Sequence, residues 1–280
     1  MKYLILGSEG QIGKPLTDYL RLKGNQVFEY DMRRNAKEDL RLLHLEEQKN
    51  IFLEKLRNCD FVFFLAFDVG GSKYLSKKDS EFDFIHNNIS LLKNTFELIK
   101  EYKKPFIFTS TQMSDMTHSS YGNAKLIGEK YTKSLGGISV KLWNVYGPEL
   151  NVDEERCHVI TDFIRSARKT RSVNMLTSGS ETRQFLYVED CCDALLTLSQ
   201  KYHDISRDEL LHISSFEWTS IKEVAEIISS IFDCNYTKGS KRDNVQLNLR
   251  YEPDRNVLKY WKPKTSLVEG IQKVCDEILY

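Results

Sequence analysis

Three side chains in the first half of the chain are spaced for proton transfer. Thr111 closes the apolar run FIFTST, and Tyr121 and Lys125 follow as Y-x-x-x-K after nine intervening residues. On a helix, a separation of four places Tyr121 and Lys125 on one face, about one turn apart. A phenol titrates near ~10, so it acts as a base near neutral pH only beside positive charge, which Lys125 would supply. Thr111 suits a hydrogen bond to a substrate hydroxyl, or to the keto oxygen that hydroxyl becomes. Farther on, Cys157-His158 offers a thiol and an imidazole, either of which could move a proton beside a ketone. Y-x-x-x-K by itself is common on solvated helix faces, so its weight depends on what surrounds it.

A place for the partner of such an oxidation is legible at the N-terminus. The apolar run Tyr3 to Leu6 enters Gly7-Ser8-Glu9-Gly10-Gln11-Ile12-Gly13, a G-x-x-G-x-x-G loop, and then the helix-like KPLTDYLRLKG. Glycines serve where the backbone turns sharply, where it approaches a pyrophosphate, and where helix meets strand. The helix N-terminus adds amide donors and a favourable dipole. Asp31 ends the next apolar run, where a carboxylate accepts both ribose hydroxyls of an adenosine and repels a 2′-phosphate. The cofactor expected is therefore NAD, although Arg33 and Arg34 lie close enough to weaken that preference.

These groups must be positioned by a sheet. Short apolar runs at Tyr3–Leu6, Gln26–Tyr30, Phe61–Ala66, Pro105–Ser110 and Ile138–Trp143 alternate with stretches of helical period. That alternation predicts an α/β fold, a Rossmann-type doubly wound parallel sheet with helices on both faces. Asn87 to Tyr102 carries Ile89, Leu92, Phe96 and Ile99 on one stripe, and Tyr121 to Leu135 reads as a second amphipathic helix. After Tyr146-Gly147-Pro148 the alternation loosens. The expected organisation is residues 1–150 as the dinucleotide-binding domain and 151–280 as a smaller C-terminal substrate-binding lobe, from which the chain can cross back.

Composition narrows the partners. The 40 basic residues balance 40 acidic ones, so the chain lacks the electropositive excess of a general nucleic-acid binder. The opening apolar run is too short for a secretory core or a membrane span, which points to a cytoplasmic protein. The 6 cysteines have neither C-x-x-C spacing nor a His-rich companion segment, so no metal site is expected and reduced thiols are.

With these residues in hand, the chain resembles the extended short-chain dehydrogenase/reductases of the nucleotide-sugar epimerase/dehydratase group. The resemblance rests on several segments in order: the glycine loop, Asp31, Asp39-Leu40-Arg41, Leu65-Ala66, Asn88, the Thr111/Tyr121/Lys125 set and Asn144-Val145-Tyr146-Gly147-Pro148. It continues through Thr182-Arg183-Gln184-Phe185 and Pro253-Asp254 to Leu267-Val268-Glu269-Gly270. It implies cofactor contacts at Gly7, Gly10, Gln11, Ile12, Gly13, Asp31, Asp39, Leu40, Leu65, Ala66, Asn88, Tyr121 and Lys125. Asn144 and Arg183 would touch a nucleotide diphosphate, with Arg242 as a second cation. A homodimer through the two amphipathic helices is also implied.

The chain departs from the group in two places. Many relatives have a longer loop between threonine and tyrosine, so the pocket here is expected to be more open. Gln112-Met113 stands where sugar 4,6-dehydratases carry an Asp-Glu pair, and neither side chain transfers protons near neutrality, which argues against dehydration. Gln112 is kept as a polar substrate contact. The function expected is an NAD-dependent nucleotide-sugar epimerase acting through a transient 4-keto sugar. A nucleotide-sugar dehydrogenase or ketosugar reductase is the neighbouring alternative, and a non-catalytic NAD-binding sensor or scaffold is the alternative of another class.

Overall fold

The computed structural model describes residues 1–78, 81–116, 118–149, 155–243 and 251–279. In chain order the first half runs β1 (Lys2–Leu6), α1 (Gly13–Leu22), β2 (Gln26–Tyr30), α2 (Glu46–Asn58), β3 (Phe61–Phe64), α3 (Ser72–Lys78), α4 (Phe82–Tyr102), β4 (Phe106–Thr111), α5 (Ser120–Ser134), β5 (Ile138–Leu142) and β6 (Val145–Tyr146). The second half runs α6 (Val159–Thr170), β7 (Ser172–Asn174), β8 (Thr182–Arg183), β9 (Leu186–Tyr187), α7 (Val188–Gln200), β10 (Leu211–Ile213), β11 (Thr219–Ser220), α8 (Ile221–Phe232), β12 (Asn235–Thr237) and α9 (Leu267–Leu279).

Alternating side chains explain the layers. On β1, Tyr3 and Ile5 face one core with Phe61, Phe63 and Ile107, while Leu4 and Leu6 face another with Val62, Phe64, Phe106 and Phe108. Strands buried on both faces read as unbroken apolar runs, which is why they were legible. The first core is closed by Leu16 and Leu20 of α1 and by Leu195 and Leu198 of α7, the second by Phe52 and Leu56 of α2 and Leu92 and Phe96 of α4. The sheet has the order β2-β1-β3-β4-β5-β10, and every pairing in it is parallel. Strand order reverses beside β1, and ligands of open α/β sheets bind beyond the strand C-termini at such a reversal.

Residues after 150 divide between the sheet and a second group of elements. α7 packs on α1 and β10 joins the sheet edge, whereas α6, α8, α9 and the parallel pair β7 and β12 pack on one another. Ile160 and Phe163 of α6 and Val224 and Ile228 of α8 belong to the same apolar cluster as the sheet's first face, so one continuous core joins these elements to the sheet. Among the described residues, no helix is long and apolar enough to cross a membrane.

Candidate active site

The loop after β1 is shaped by two close approaches. Gly7 has φ +88, and a Cβ there would lie 2.7 Å from the Ala66 nitrogen, so β1 and β3 end against each other. A Cβ on Gly13 would lie 2.0 Å from Gly7 O, which fixes α1 hard against the loop. Gly10 is less crowded: a Cβ there would meet only Gly7 O, at a tight 3.2 Å, with nothing else within 4 Å, which leaves the rest of its surroundings open. The amides of α1 are free of side-chain caps, and Ser8 Oγ is buried with no partner among the described residues. An amide-lined turn, an orphaned hydroxyl and an open glycine at the sheet's reversal fit a dinucleotide pyrophosphate.

Asp31 stands just past the end of β2, against the glycine loop. Its Oδ2 accepts Glu9 N–H at 2.9 Å and its Oδ1 accepts Arg33 N–H at 2.8 Å, which orients the carboxylate while leaving lone pairs for ribose hydroxyls. Arg34 is drawn to Glu29 at 3.2 Å and Arg33 reaches back to Glu9 O, so both arginines near Asp31 have partners inside the protein. Asp39 is buried and gripped by Arg41, whose Nη2 stands 2.6 Å from its Oδ2; this pairing holds the Asp39 carboxyl below its ordinary value, against the opposing effect of burial. Leu40 is buried beside it, with its carbonyl taken by Asn94. Gln11 donates to Val145 O at 3.1 Å, tying the glycine loop to the segment after β5; Ile12, the residue before α1, packs on the core. Leu65 and Ala66 run beside Gly7. Asn88 spends its side chain on Asp68 N–H, Asp68 O and Phe84 O, and so clamps the backbone that follows β3.

The three chemistry-bearing residues converge at the C-terminal end of β4. Ser119 caps α5 by accepting Gly122 N–H at 3.1 Å. A Cβ on Gly122 would lie 2.1 Å from Met113 O, so only glycine lets α5 approach the turn after β4 this closely. That approach brings the Tyr121 hydroxyl into a hydrogen bond with the Thr111 side chain. Thr111, Tyr121 and Lys125 are all buried, with Lys125 only 3% exposed. Burial raises the Tyr121 phenol well above its ordinary value, and the Thr111 hydrogen bond partly offsets this. Burial also draws the Lys125 ammonium down to about 7, against partial support from Glu129. Lys125 Nζ donates to Thr109 O at 2.7 Å. Each charged form is costly in this dry site, so the phenol would act as a base near neutrality only with positive charge brought close to it.

Beyond the triad lies a polar rim. Gln112 is buried and donates to Asn144 Oδ1 at 2.9 Å, and Asn144 sits at φ 25 where β5 gives way to β6. Arg183 is buried on β8; its Nη1 donates to Thr182 O at 2.7 Å and its Nη2 pairs with Asp243. Arg242, the residue before Asp243, is exposed. His158 precedes α6, and its Nδ1 lies 2.7 Å from Oε1 of the buried Glu149. Cys157 is packed beneath the same carboxylate and pushed up to about 12 by burial and then by Glu149, so its thiol stays protonated near neutrality. Glu149, Asp243 and Phe67, which lies against Tyr121 and Lys125, were not singled out from sequence. Of the three, Glu149 carried a signal, as it directly follows Gly147-Pro148.

Comparisons with known proteins agree with this fold. The chain is 27% identical to a GDP-L-fucose synthase of Sinorhizobium fredii, across 96% of this chain and 92% of that protein. Among solved structures it superposes on the UDP-glucose 4-epimerase of Thermotoga maritima with a TM-score of 0.80 at 20% identity, covering 100% of this chain and 98% of that one. It also superposes on a GDP-6-OMe-4-keto-L-xylo-heptose reductase of C. jejuni with a TM-score of 0.81 at 17% identity, covering 99% and 97%. The sequence model of the NAD dependent epimerase/dehydratase family matches residues 3–214. The chain belongs to the NAD-dependent epimerase/dehydratase family of enzymes.

Proposed function

We propose that this enzyme interconverts nucleotide-linked hexoses by reversible oxidation of a sugar hydroxyl at C4. The observation that carries the reading is the buried hydrogen bond between Tyr121 and Thr111, one helical turn from Lys125. NAD, when bound, supplies the two-electron acceptor and, while oxidised, a second positive charge. Tyr121 takes the hydroxyl proton, Thr111 holds the sugar oxygen in line, and Lys125 stabilises the phenolate. The keto sugar, tethered by its nucleotide, turns over and is reduced on its other face as Tyr121 returns the proton. Gln112 and Asn144 line the sugar. Arg183, steadied by Asp243 and Thr182 O, offers its remaining donors to the diphosphate, with Arg242 nearer solvent.

The Glu149–His158 pair favours a second reading, a ketosugar reductase that also inverts carbons flanking the ketone. A carboxylate on Nδ1 fixes the imidazole and leaves Nε2 to exchange a proton with substrate. Turnover in D2O separates the two. Inversion at C4 by hydride return leaves the sugar carbons unlabelled, whereas deuterium beside C4, absent in His158→Gln, establishes the second reading.

Gly10→Val should weaken NAD binding by about tenfold or more, because a branched side chain stands where the pyrophosphate approaches and only Gly7 O crowds its Cβ internally. Calorimetric titration with NAD checks it; unchanged affinity would place the phosphates elsewhere.

The enzyme is further read as a homodimer. Phe82 and Ile85 of α4 and Ile127 and Tyr131 of α5 are exposed, on two helices that pack side by side. Ile127→Glu combined with Tyr131→Glu should convert a dimer to a monomer in light scattering, since two charges cannot be buried there without partners.

A further inference from the structure

The ring of Phe67 touches both members of the Tyr121–Lys125 pair. Its centroid lies 3.9 Å from Lys125 Nζ, within the range where an aromatic face attracts an ammonium. The same ring meets Tyr121 edge to face, with centroids 5.6 Å apart at 77°. Among the described residues, the hydrogen-bond partner of Lys125 is Thr109 O, and no carboxylate pairs with it directly. Charged neighbours act from farther away. Glu129, one turn on along α5, accepts Ser110 Oγ–H and lies 3.9 Å from Lys141 Nζ on β5, which itself pairs with Asp115. From the loop after β3 the charged neighbour is Asp68, already bonded by Tyr74 and Arg156. Besides the Thr109 carbonyl at 2.7 Å, the nearest compensation for this dry ammonium is the face of Phe67, with the Phe108 ring centroid 4.9 Å from the same nitrogen.

The backbone keeps that ring in place. Leu65 N–H bonds Leu6 O at 2.9 Å, and the fully buried Asn88 grips Asp68 on the other side of Phe67. The ring is thus anchored from both flanks.

We propose that Phe67 is a positioning residue of the catalytic pair, whose ring face favours the charged form of Lys125 and seats it beside Tyr121; this rests on the roles proposed above for those two side chains. Leucine at this position would keep the site dry without offering a π face, and tyrosine would keep the face.

The test needs no sugar. In NAD-free protein carrying 13C-labelled lysine, the Cε resonance of Lys125 is assigned by its loss in Lys125→Met. Its titration midpoint should fall by roughly half to one pH unit in Phe67→Leu and stay near wild type in Phe67→Tyr. Stepwise fluorination of the Phe67 ring thins the π density at nearly constant shape, so it guards against a leucine variant that fails to fold. The midpoint should then fall in graded steps. A midpoint that is unmoved or raised across the fluorinated series overturns the proposal. In turnover, Phe67→Leu should lower kcat several-fold with KM little changed, and Phe67→Tyr should restore it. A lowered kcat without a shifted midpoint counts against the proposal as well. Silence toward every nucleotide sugar would overturn the function proposed above while leaving the titration result standing.

Discussion

Tyr121→Phe should lower turnover by about a thousandfold while NAD binds as in the wild type, near the middle of the range for losing a general acid–base. The change removes one oxygen from a buried ring whose packing against Phe67 is otherwise preserved. Its hydrogen-bond partner, the Thr111 hydroxyl, still accepts Met113 N–H at 3.3 Å, so the turn after β4 keeps its shape. Stability should therefore change little, and the loss should appear in kcat. Steady-state kinetics alongside NAD titration checks this. A variant that keeps wild-type turnover would remove Tyr121 from the chemistry, and one that loses NAD as well would show a structural rather than a catalytic role.

Lys125→Met should abolish activity and yet make the NAD-free protein harder to unfold. Burial holds the folded-state value of Lys125 at about 7, against 10.5 for an unhindered lysine. Between those values the unfolded chain holds a proton that the folded chain has released, so wild-type stability rises with pH across that window. Below pH 7 both states are charged and the full cost of the buried ammonium is present. Methionine escapes that cost, but it strands Thr109 O, which loses its 2.7 Å donor from Lys125, at a penalty of roughly 1–3 kcal/mol. The desolvation of a charge is the larger effect, so the net gain should be several degrees in Tm at pH 6 to 7. That advantage should shrink steadily toward pH 10. Calorimetry at a series of pH values reads both the sign and the trend. A Met variant that is less stable at pH 6 would mean that the lysine is better compensated than its surroundings indicate.

The sequence revealed the parts of this molecule whose signals are local. Five of the six strands carry apolar runs long enough to read from sequence, and β1, β3 and β4, inside the sheet, are buried along nearly their whole length. The sixth, Leu211–Ile213, is three residues long at the sheet edge and lies within ELLHISSF, where no alternation can develop. Helix α4 begins at Phe82 instead of Asn87 because its first turns place Phe82 and Ile85 outward, off the stripe that marks the buried face. The site divides in the same way. Tyr121 and Lys125 are one turn apart on one helix, and the glycine loop joins one strand to one helix, so both were readable from spacing. Glu149 on His158, Asp243 on Arg183 and Phe67 on Lys125 are meetings between separate elements. The two acids had no neighbouring motif that named their partners, and Phe67 followed Leu65-Ala66 looking like the last apolar residue of a strand. Asn88 illustrates a finer point: the motif marked the residue, but only the fold shows its amide committed to the backbone around Asp68.

The most direct test of the account is to mix NAD-loaded enzyme with UDP-, GDP-, CDP- and dTDP-hexoses, following the products by NMR and the reduced nicotinamide by absorbance, with Tyr121→Phe in parallel. The account predicts that one nucleotide sugar is converted to a stereoisomer or a ketosugar-derived product by the wild type and left unchanged by the variant. Enzyme saturated with NAD that leaves every such sugar unaltered would contradict it, and would favour a dinucleotide-binding protein whose Tyr121 and Lys125 do no chemistry.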